Sequence, residues 1–300
     1  MTSSFHSGFV AVVGRPNAGK STLLNTLLGQ KVVIVSDKPQ TTRNRIRCIL
    51  TEGRGQIIFF DTPGVHKPAH QLGEYMLTAA LGTLSQADAA LLVVDLAAPF
   101  GSGDEYLLGL VRASSLPCVL VLNKTDLAAS GDIAARSDFY AARADFRAIV
   151  PLSALRREET AALPDLLFPL LPPGPLFYGE DEVTDKPERF LAAEMIREKL
   201  MLLMREEIPH SVAVVVDQME EMETHSRIRA IIFVERASQK AIIIGQKGER
   251  LREAGILARR DIEEMLGRRV YLDLWVKVQK GWRNNPTALR AAGYRREELI

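Results

Sequence analysis

The chain has 300 residues, enough for two domains with separate hydrophobic cores, and its 47% apolar and 25% charged residues exclude a wholly disordered protein. No apolar stretch is long and uncharged enough to form a transmembrane helix, and residues 1–7 lack the basic and apolar regions of an export signal. The net charge of +1 conceals a basic segment, because residues 226–300 carry 17 Lys and Arg against 9 Asp and Glu, and such a segment favours a polyanionic partner.

Residues 8 to about 171 alternate short apolar strands with helical stretches, which predicts a mostly parallel sheet with helices on both faces. The predicted strands are Phe9–Val13, Ile46–Thr51, Gln56–Phe60, Ala89–Asp95, Cys118–Asn123 and Ala148–Leu152. The two cysteines, Cys48 and Cys118, lie within these strands and are expected to be buried thiols of a reducing compartment. Functional residues are expected where the strands end.

A phosphate-binding loop follows the first predicted strand and leads into an amphipathic helix. Its residues fit the pattern G-x-x-x-x-G-K-[S/T] and are Gly14, Arg15, Pro16, Asn17, Ala18, Gly19, Lys20, Ser21 and Thr22. The glycines let backbone N–H groups surround phosphates, and the helix N-terminus adds its positive dipole end. Lys20 would contact the β- and γ-phosphates and Ser21 would ligate Mg²⁺, whereas a glycine-rich turn without function explains this context less well.

Two further loops are expected to complete the magnesium and γ-phosphate site. Gln40-Thr41-Thr42-Arg43 offers a hydroxyl ligand for Mg²⁺, with Thr42 preferred and Thr41 as the alternative. Asp61-Thr62-Pro63-Gly64 follows a strand, so Asp61 would hold Mg²⁺ through water and Gly64 would donate its N–H to the γ-phosphate. Each motif alone is an ordinary loop or turn. Downstream of a phosphate loop, they predict segments that the γ-phosphate orders and hydrolysis releases.

The base is predicted to be guanine. Asn123-Lys124-Thr125-Asp126 follows a buried strand, and the Asp126 carboxylate can accept hydrogen bonds from both N1–H and the exocyclic amine of guanine. Adenine offers no such donor pair. The alternative role is a polar helix cap. Ser153-Ala154 follows the last strand and could supply a backbone N–H to the guanine carbonyl. Only the position of this dipeptide in the chain supports the prediction.

A linker is predicted at 173–187, where prolines and acidic residues interrupt the apolar periodicities of both helices and strands. Within it, Phe177 and Tyr178 are expected to pack on one of the domains. Beyond it, the sequence predicts a helix at Glu188–Glu207 and strands at Ser211–Glu221, Arg227–Val234 and Ala241–Ile244.

The last of these strands leads into a second loop, of the form G-x-x-G, followed by a helix with apolar residues at spacings of three and four. Such a loop clamps single-stranded RNA in KH modules, because glycines let the sugar-phosphate backbone approach while a lysine meets phosphate. A turn without function is the alternative for a lone G-x-x-G. The candidate RNA-binding residues here are Ile244, Gly245, Gln246, Lys247, Gly248 and Arg250.

The predicted final strand, Val270–Val278, alternates between an apolar set beginning with Val270, expected to form core, and an opposite set that includes Trp275. Trp275 and Trp282 are expected to pack against a helix, with base stacking as the alternative. Lys277, Lys280 and Arg283 are expected to form a solvated basic rim that could contact phosphate, and Lys277 and Lys280 complete the candidate RNA-binding set.

The motifs in this order are similar to those of small GTP-binding proteins, and the versions G-R-P-N-A-G-K-S, Q-T-T-R and D-T-P-G-V-H resemble the Era family. Leu272-Asp273-Leu274-Trp275-Val276-Lys277-Val278 leading into Lys280-Gly281-Trp282 carries the same resemblance. The resemblance implies a P-loop GTPase domain at 1–172 and a smaller α+β, type II-like KH domain at 188–300. It also implies GTP hydrolysis with Mg²⁺, binding to small-subunit ribosomal RNA near its 3′ end, and a role in assembling the small ribosomal subunit.

One departure from Ras-type enzymes concerns hydrolysis: Val65 stands where a water-orienting glutamine would be expected, and no general base is assigned. The resemblance makes Asn17 a candidate potassium ligand, although bonding its own loop is an equal alternative. His66 could act as a proton acceptor, but a solvent-exposed side chain in a loop is the simpler interpretation.

We expect a cytoplasmic protein, with peripheral membrane contact left open, that forms no stable oligomer. The alternatives are an RNA-binding chaperone with GTP as a structural ligand, and a GTPase whose basic domain docks on protein or membrane.

Overall fold

The computed structural model describes residues 5–38, 40–64, 70–204 and 208–294, and these form two sheets, each with its own helices. The six strands of the first sheet are β1 (His6–Gly14), β2 (Ile46–Glu52), β3 (Gly55–Asp61), β4 (Ala89–Asp95), β5 (Cys118–Asn123) and β6 (Ala148–Leu152). Each predicted strand of this half is present with bounds shifted by at most three residues.

The first sheet has the order β2-β3-β1-β4-β5-β6, and every neighbouring pair is parallel except β2 with β3. Side chains of β1 alternate between two cores: Val10 and Val12 face one, Ala11 and Val13 the other. Both faces of the central strands are therefore buried under helices, which explains their continuous apolar sequence.

Six helices accompany this sheet. They are α1 (Lys20–Leu28), α2 (Gln71–Leu84), α3 (Ser102–Ser114), α4 (Ser130–Ala141), α5 (Arg157–Thr160) and α6 (Leu163–Leu167). Leu23 and Leu24 of α1 pack in one core, and Leu107 and Leu108 of α3 pack in the other. The loops that follow β1, β3, β5 and β6 consequently meet at the same edge of the sheet, as the parallel order requires.

The stretch at 173–187 lies against the first sheet. The backbone N–H of Ile49 on β2 donates to the carbonyl of Val183 at 2.9 Å, so the stretch pairs with the edge strand. The Phe177 ring lies 5.3 Å from that of Phe9, and Arg47 donates to the Tyr178 hydroxyl at 3.0 Å. The predicted packing of both aromatic residues on a domain is confirmed, and the contacts seal the open edge of β2.

The second sheet has the order β7-β8-β9, with β7 antiparallel and β9 parallel to β8. Its strands are β7 (Ala213–Glu221), β8 (Ser226–Val234) and β9 (Val270–Val278), and its helices are α7 (Glu188–Leu203), α8 (Ile208–Ser211), α9 (Ala237–Ile244), α10 (Glu249–Leu266) and α11 (Pro286–Ala291). Ala254, Ala258 and Ile262 of α10 are fully buried, as their spacing predicts.

The prediction of a strand at Ala241–Ile244 is wrong, because these residues form the last turn of α9. Ile243 is fully buried while Ile242 is 42% exposed, which is the burial of one helix face. At the start of α9 the Gln239 side chain accepts hydrogen bonds from the backbone N–H groups of Glu235 (2.9 Å) and Arg236 (3.0 Å). Because Ile243 packs into the second core from this helix, tertiary packing overrides the β propensity of three isoleucines.

Smaller differences also concern the second half. The helix predicted at Glu188–Glu207 ends at Leu203. The strand predicted to begin at Ser211 begins at Ala213, because Ile208–Ser211 is helical. Residues 205–207 lie outside the described residues.

The apolar face of β9 was predicted to be core throughout, but only Val270 and Val276 are buried, and Val278 is 39% exposed. Trp275 is 60% exposed rather than packed on a helix, whereas Trp282 is fully buried as predicted. Arg283 is not part of a solvated rim, since it is paired with Glu235 at 2.5 Å.

Cys48 and Cys118 are buried free thiols, as expected. Burial raises the pKa of Cys118 to about 12, so this thiol is unreactive at neutral pH. None of the helices in the described parts of the chain is long and apolar enough to cross a membrane.

Candidate nucleotide site and nucleic-acid interface

The loop between β1 and α1 has the backbone of a phosphate cradle. Gly19 has φ of +94°, and a Cβ there would lie 2.1 Å from the Asn123 amide nitrogen, so only glycine fits. Lys20 is buried, and its ammonium donates to the carbonyls of Gly14 and Arg15, each at 3.1 Å. Burial lowers the pKa of Lys20 to about 8, and the Asp61 carboxylate opposes that shift. A bound phosphate would give the Lys20 ammonium a directly contacting anionic partner.

Three predicted metal ligands meet beside this loop. The hydroxyls of Ser21 and Thr42 lie 3.1 Å apart, and each lies 3.1 Å from Oδ2 of Asp61. The other carboxylate oxygen, Oδ1, is buried and has no hydrogen-bond partner among the described residues, and burial raises the pKa of Asp61 to about 6. A buried carboxylate with an unpaired oxygen next to two hydroxyls fits a hard cation with oxygen ligands, which is what Mg²⁺ prefers.

Thr41 does not join this cluster. Its hydroxyl donates to the carbonyl of Lys38 at 2.6 Å, on the other side of the loop. The geometry therefore favours Thr42 over Thr41 as the metal ligand, in agreement with the preference drawn from the sequence.

A cleft of about 440 Å³ lies over the phosphate loop and extends to the loops after β5 and β6. Among the residues predicted to bind nucleotide, those that line it are Pro16, Asn17, Gly19, Lys20, Ser21, Thr22, Thr42, Gly64, Asn123, Lys124, Asp126, Ser153 and Ala154. Gly64 is tightly placed, because a Cβ there would lie 2.7 Å from the backbone nitrogen of Pro16. The structure thus brings five separate sequence motifs to one cavity.

The remaining predicted nucleotide residues lie behind the cleft: Gly14, Arg15, Ala18, Asp61, Thr62 and Pro63 do not line it. The Arg15 guanidinium pairs with Asp104 at 2.8 Å, which fixes the loop to the start of α3. The Thr62 hydroxyl donates to the carbonyl of Val12 at 2.7 Å, which joins β3 to β1. The side chains of Arg15 and Thr62 therefore support the site rather than face it.

The base end of the cleft is built around Asn123. Its amide donates to the Ala18 carbonyl and accepts from the Ala154 N–H, both at 2.8 Å, so it joins the phosphate loop to the loop after β6. Asp126 is exposed at the mouth, where a ligand can reach its carboxylate. Leu127 and Leu155 line the cleft while 67% and 75% exposed, and the sequence analysis missed both because single leucines in loops carry no signal.

Asn17 has φ of +64°, and its side-chain amide donates to the carbonyl of Asp37 at 2.7 Å. It therefore contacts the loop before β2. Val65 and His66, considered above for their roles in hydrolysis, lie outside the described residues.

The G-x-x-G loop joins α9 to α10. Gly245 and Gly248 have φ of +72° and +81°, and Lys247 between them has φ of +48°, so the turn depends on glycine at both ends. Gln246, Lys247 and Arg250 are exposed, while Ile244 is half-buried beneath them. Lys277 and Lys280 are exposed at the end of β9. Every candidate RNA contact is therefore on or just below the surface.

A groove of about 360 Å³ runs beside this loop, between α10 and β9. Arg252, Arg259 and Tyr271 lie along it and were not among the predicted contacts. The spacing of Arg252 and Arg259, two turns apart on one helix face, was the available signal. A basic groove with an exposed aromatic ring beside a G-x-x-G loop can hold a single nucleic-acid strand.

Arg43 is a further residue that the sequence did not identify as important beyond its motif. It is fully buried against the second half of the chain, where its guanidinium donates to the carbonyls of Val212 (2.6 Å) and Pro209 (3.0 Å) and to the Tyr294 hydroxyl (3.1 Å). Burial lowers its pKa from the usual arginine value. The residue next to the candidate metal ligand is thus anchored in the other part of the molecule.

This combination defines a class: a P-loop nucleotide-binding domain with a base pocket suited to guanine, followed by a KH domain. Comparison with known families agrees, since residues 9–124 match the model of a 50S ribosome-binding GTPase and residues 207–283 match that of a KH domain.

Solved structures extend the agreement to the whole chain. A variant of Era from Aquifex aeolicus bound to GDP and AlF4− is 39% identical, with 97% of this chain and 99% of that chain covered and a TM-score of 0.90. Era in complex with MgGDPNP and nucleotides 1506–1542 of 16S ribosomal RNA has the same identity and coverage and a TM-score of 0.91. The chain belongs to the Era family of GTPases, and the resemblance inferred from its motifs is confirmed.

Proposed function

We propose that this protein is a GTP-hydrolysing switch that binds small-subunit ribosomal RNA near its 3′ end through its KH domain and acts in small-subunit assembly. Support comes from full-length similarity to a protein whose complex contains MgGDPNP and nucleotides 1506–1542 of 16S RNA. A protein that binds small-subunit ribosomal RNA would act in the cytoplasm. The observation that carries the switching role is the position of Thr42, between the nucleotide cleft and the second domain.

For the nucleotide, we propose that the loop Gly14–Thr22 and Gly64 hold the phosphates, with Lys20 on the β- and γ-phosphates. Asn123, Lys124, Asp126 and the loop Ser153–Ala154 hold the base. For RNA, we propose the G-x-x-G loop with Arg250, Lys277 and Lys280, and we keep the domain bounds at 1–172 and 188–300 with a linker at 173–187.

Ser21, Thr42 and Asp61 would hold magnesium. When bound, Mg²⁺ would neutralise negative charge on the β- and γ-phosphates. Lys20 supplies a second positive charge from a buried position, where electrostatic interactions are least screened by water. The chain's contribution to hydrolysis is therefore to orient the phosphates and to stabilise the charge that develops on them.

The two domains are coupled, we propose, through the residues on either side of Thr42. The Thr41 carbonyl accepts a hydrogen bond from Arg197 of α7, which is fully buried and paired with Glu194 at 2.5 Å. Arg43 is held by Val212, Pro209 and Tyr294, as described above. The second domain thus holds the residues on both sides of Thr42. The loop conformation that these contacts stabilise is the same one that places the Thr42 hydroxyl beside Asp61.

Helix α2 strengthens this connection. Tyr75 packs edge-on against Tyr294, with ring centres 5.8 Å apart, and its hydroxyl donates to the Asn44 side chain at 2.7 Å. Leu72 and Met76 of the same helix pack in one cluster with Trp282. The segment after the Asp61–Gly64 loop and the segment containing Thr42 therefore contact the second domain together, so the γ-phosphate and RNA can influence each other by linkage.

Arg43→Ala is expected to weaken binding of a non-hydrolysable GTP analogue by about tenfold, which is within the usual range of coupling between sites. Affinity for GDP should stay unchanged, because GDP has no γ-phosphate and does not require Thr42. Both affinities are measured by calorimetry on the full chain with magnesium.

The matched control is Arg47→Ala, which removes a half-buried arginine whose partners, Tyr178 and Asp185, lie in the 173–187 stretch. Tyr294→Phe removes one of the Arg43 contacts and should give a smaller loss in the same direction. An unchanged ratio of GTP-analogue to GDP affinity in Arg43→Ala would contradict the coupling.

We also propose that Asn17, with the adjoining backbone at Asp37, forms a potassium site that assists hydrolysis. Their contact at 2.7 Å places a side-chain amide and a carbonyl together at the mouth of the cleft. Val65 stands in place of a water-orienting glutamine. A potassium ion at this position would add its positive charge to that of Lys20 and the magnesium ion.

The activity is tested by phosphate release from GTP in potassium and in sodium chloride, with and without RNA of the small-subunit 3′ end. Lys20→Ala should reduce turnover at least about tenfold, because it removes the buried charge from the phosphates. If wild-type turnover does not exceed that of Lys20→Ala under any condition, the protein is an RNA-binding chaperone with GTP as a structural ligand. If the RNA does not bind, the basic domain serves a protein or membrane partner.

A further inference from the structure

The base pocket is formed by two loops that belong to different strands. Asp126 is on the loop after β5, and Ser153, Ala154 and Leu155 are on the loop after β6. Recognition of a purine edge requires donors and acceptors at fixed separations, so the distance between these loops must be held constant. Asn123 supports the pocket from below, through the Ala18 carbonyl and the Ala154 N–H.

A second link joins the same two loops from the outer side. The Glu159 carboxylate, on α5, accepts a hydrogen bond from the backbone N–H of Ser153 at 2.6 Å and from the Thr125 hydroxyl at 3.3 Å, both through Oε2. Thr125 is the residue before Asp126. One carboxylate oxygen therefore contacts both loops, immediately beside the groups proposed to read the base.

Glu159 is ionised at neutral pH. Its hydrogen bond to Arg156 at 2.7 Å, followed by that from the Ser153 N–H, lowers the pKa of its carboxyl group. Hydrogen bonds to a charged acceptor are stronger than those between neutral groups. An exposed ion pair three residues apart normally contributes little by itself, and that simpler role would leave the Ser153 and Thr125 contacts unexplained.

The backbone of the second loop is held at two successive positions, because the Ser153 N–H donates to Glu159 and the Ala154 N–H donates to Asn123. Leu155, the next residue, lines the cleft. The loop that carries the candidate backbone donors is therefore fixed directly beside the cleft.

We infer that Glu159 is a positioning residue for base recognition: it ties the loop that carries Asp126 to the loop that carries Ser153 and Ala154. The inference rests on the proposed base pocket. Sequence analysis could not find it, because Glu159 stands among other charged residues in Arg156-Arg157-Glu158-Glu159.

The test compares GDP and ADP affinities of the full chain by calorimetry. Glu159→Ala should weaken GDP binding about tenfold, the expected order for losing hydrogen bonds to a charged group, and leave the weaker ADP binding unchanged. Glu159→Gln keeps an acceptor oxygen for the Ser153 N–H and should restore most of the GDP affinity. Thr125→Val should give a partial loss that is not additive with Glu159→Ala.

Arg156→Ala is the matched control, because it removes the exposed ion pair and leaves Oε2 of Glu159 in contact with both loops. An equal loss of GDP and ADP affinity in Glu159→Ala, or an equal loss of GDP affinity in Arg156→Ala, would overturn the inference. So would unchanged GDP affinity in Glu159→Ala. If Asp126→Asn changes base preference while Glu159→Ala does not, only this inference fails, and if Asp126→Asn has no effect the pocket assignment fails with it.

Discussion

Asp126→Asn is expected to convert a guanine-nucleotide site into one that prefers xanthine. The carboxylate accepts hydrogen bonds from N1–H and the exocyclic amine of guanine, whereas an amide donates where xanthine carries a carbonyl. Loss of GTP affinity should be on the order of 1,000-fold, because a site built around specific hydrogen bonds strongly rejects a ligand that leaves them unmade. Competition between GDP and xanthosine diphosphate for the full chain measures the change.

Asp132→Asn is the matched control, since it makes the same charge change on an exposed residue at the start of α4. It should leave the preference for guanine intact. The assignment of Asp126 is wrong if its asparagine variant still discriminates guanine from xanthine as the parent protein does. A pocket defined instead by Leu127 and Leu155 would hold any purine and would show little discrimination at all.

The second large effect is expected at the G-x-x-G loop. Gly245→Asp combined with Gly248→Asp places two negative charges where phosphates must approach, and like charges at an interface cost several kcal/mol. RNA affinity should therefore fall on the order of 100-fold or more. Because Lys247 no longer meets phosphate, the dependence of binding on salt concentration should also become shallower. RNA of the small-subunit 3′ end is the probe, measured by fluorescence anisotropy at several salt concentrations.

Backbone strain must be separated from charge in this test. Gly248 and Gly267 both have positive φ, of +81° and +65°, and a Cβ would meet no atom within 4 Å at either position. They lie at opposite ends of α10. Gly248→Asp should therefore weaken RNA binding while Gly267→Asp does not, and equal effects at the two positions would assign the loss to strain in α10 rather than to the loop.

Particular residues show why the nucleotide site was largely accessible from sequence. Gly19 and Lys20 belong to one short loop with a recognisable spacing, and Asp61 and Asn123 stand at the ends of strands with continuous apolar sequence. Parallel strands bring their carboxyl ends together, so the order of motifs along the chain is enough to predict that they meet. Sequence reasoning failed at Ala241–Ile244, where packing of Ile243 into the second core from a helix overrides the local β propensity.

Residues that act across long separations carried no such signal. Arg43 and Tyr294 are 251 positions apart, and Lys31 pairs with Asp261 of α10 at 2.6 Å across 230 positions. Nothing in their local sequence distinguishes them from surface charges. Their roles depend on how the second domain rests on the first, which is a property of the whole fold.

The sequence by itself determined a guanine-nucleotide phosphate site, a basic G-x-x-G module and their family, because these depend on residues that are contiguous in the chain and on strand and helix periodicity. Only the tertiary structure decided that Arg43 is buried against the second domain and that Glu159 joins two loops. These outcomes depend on side chains brought together from distant positions, and the free energy of such contacts is set by burial and geometry that no local pattern encodes.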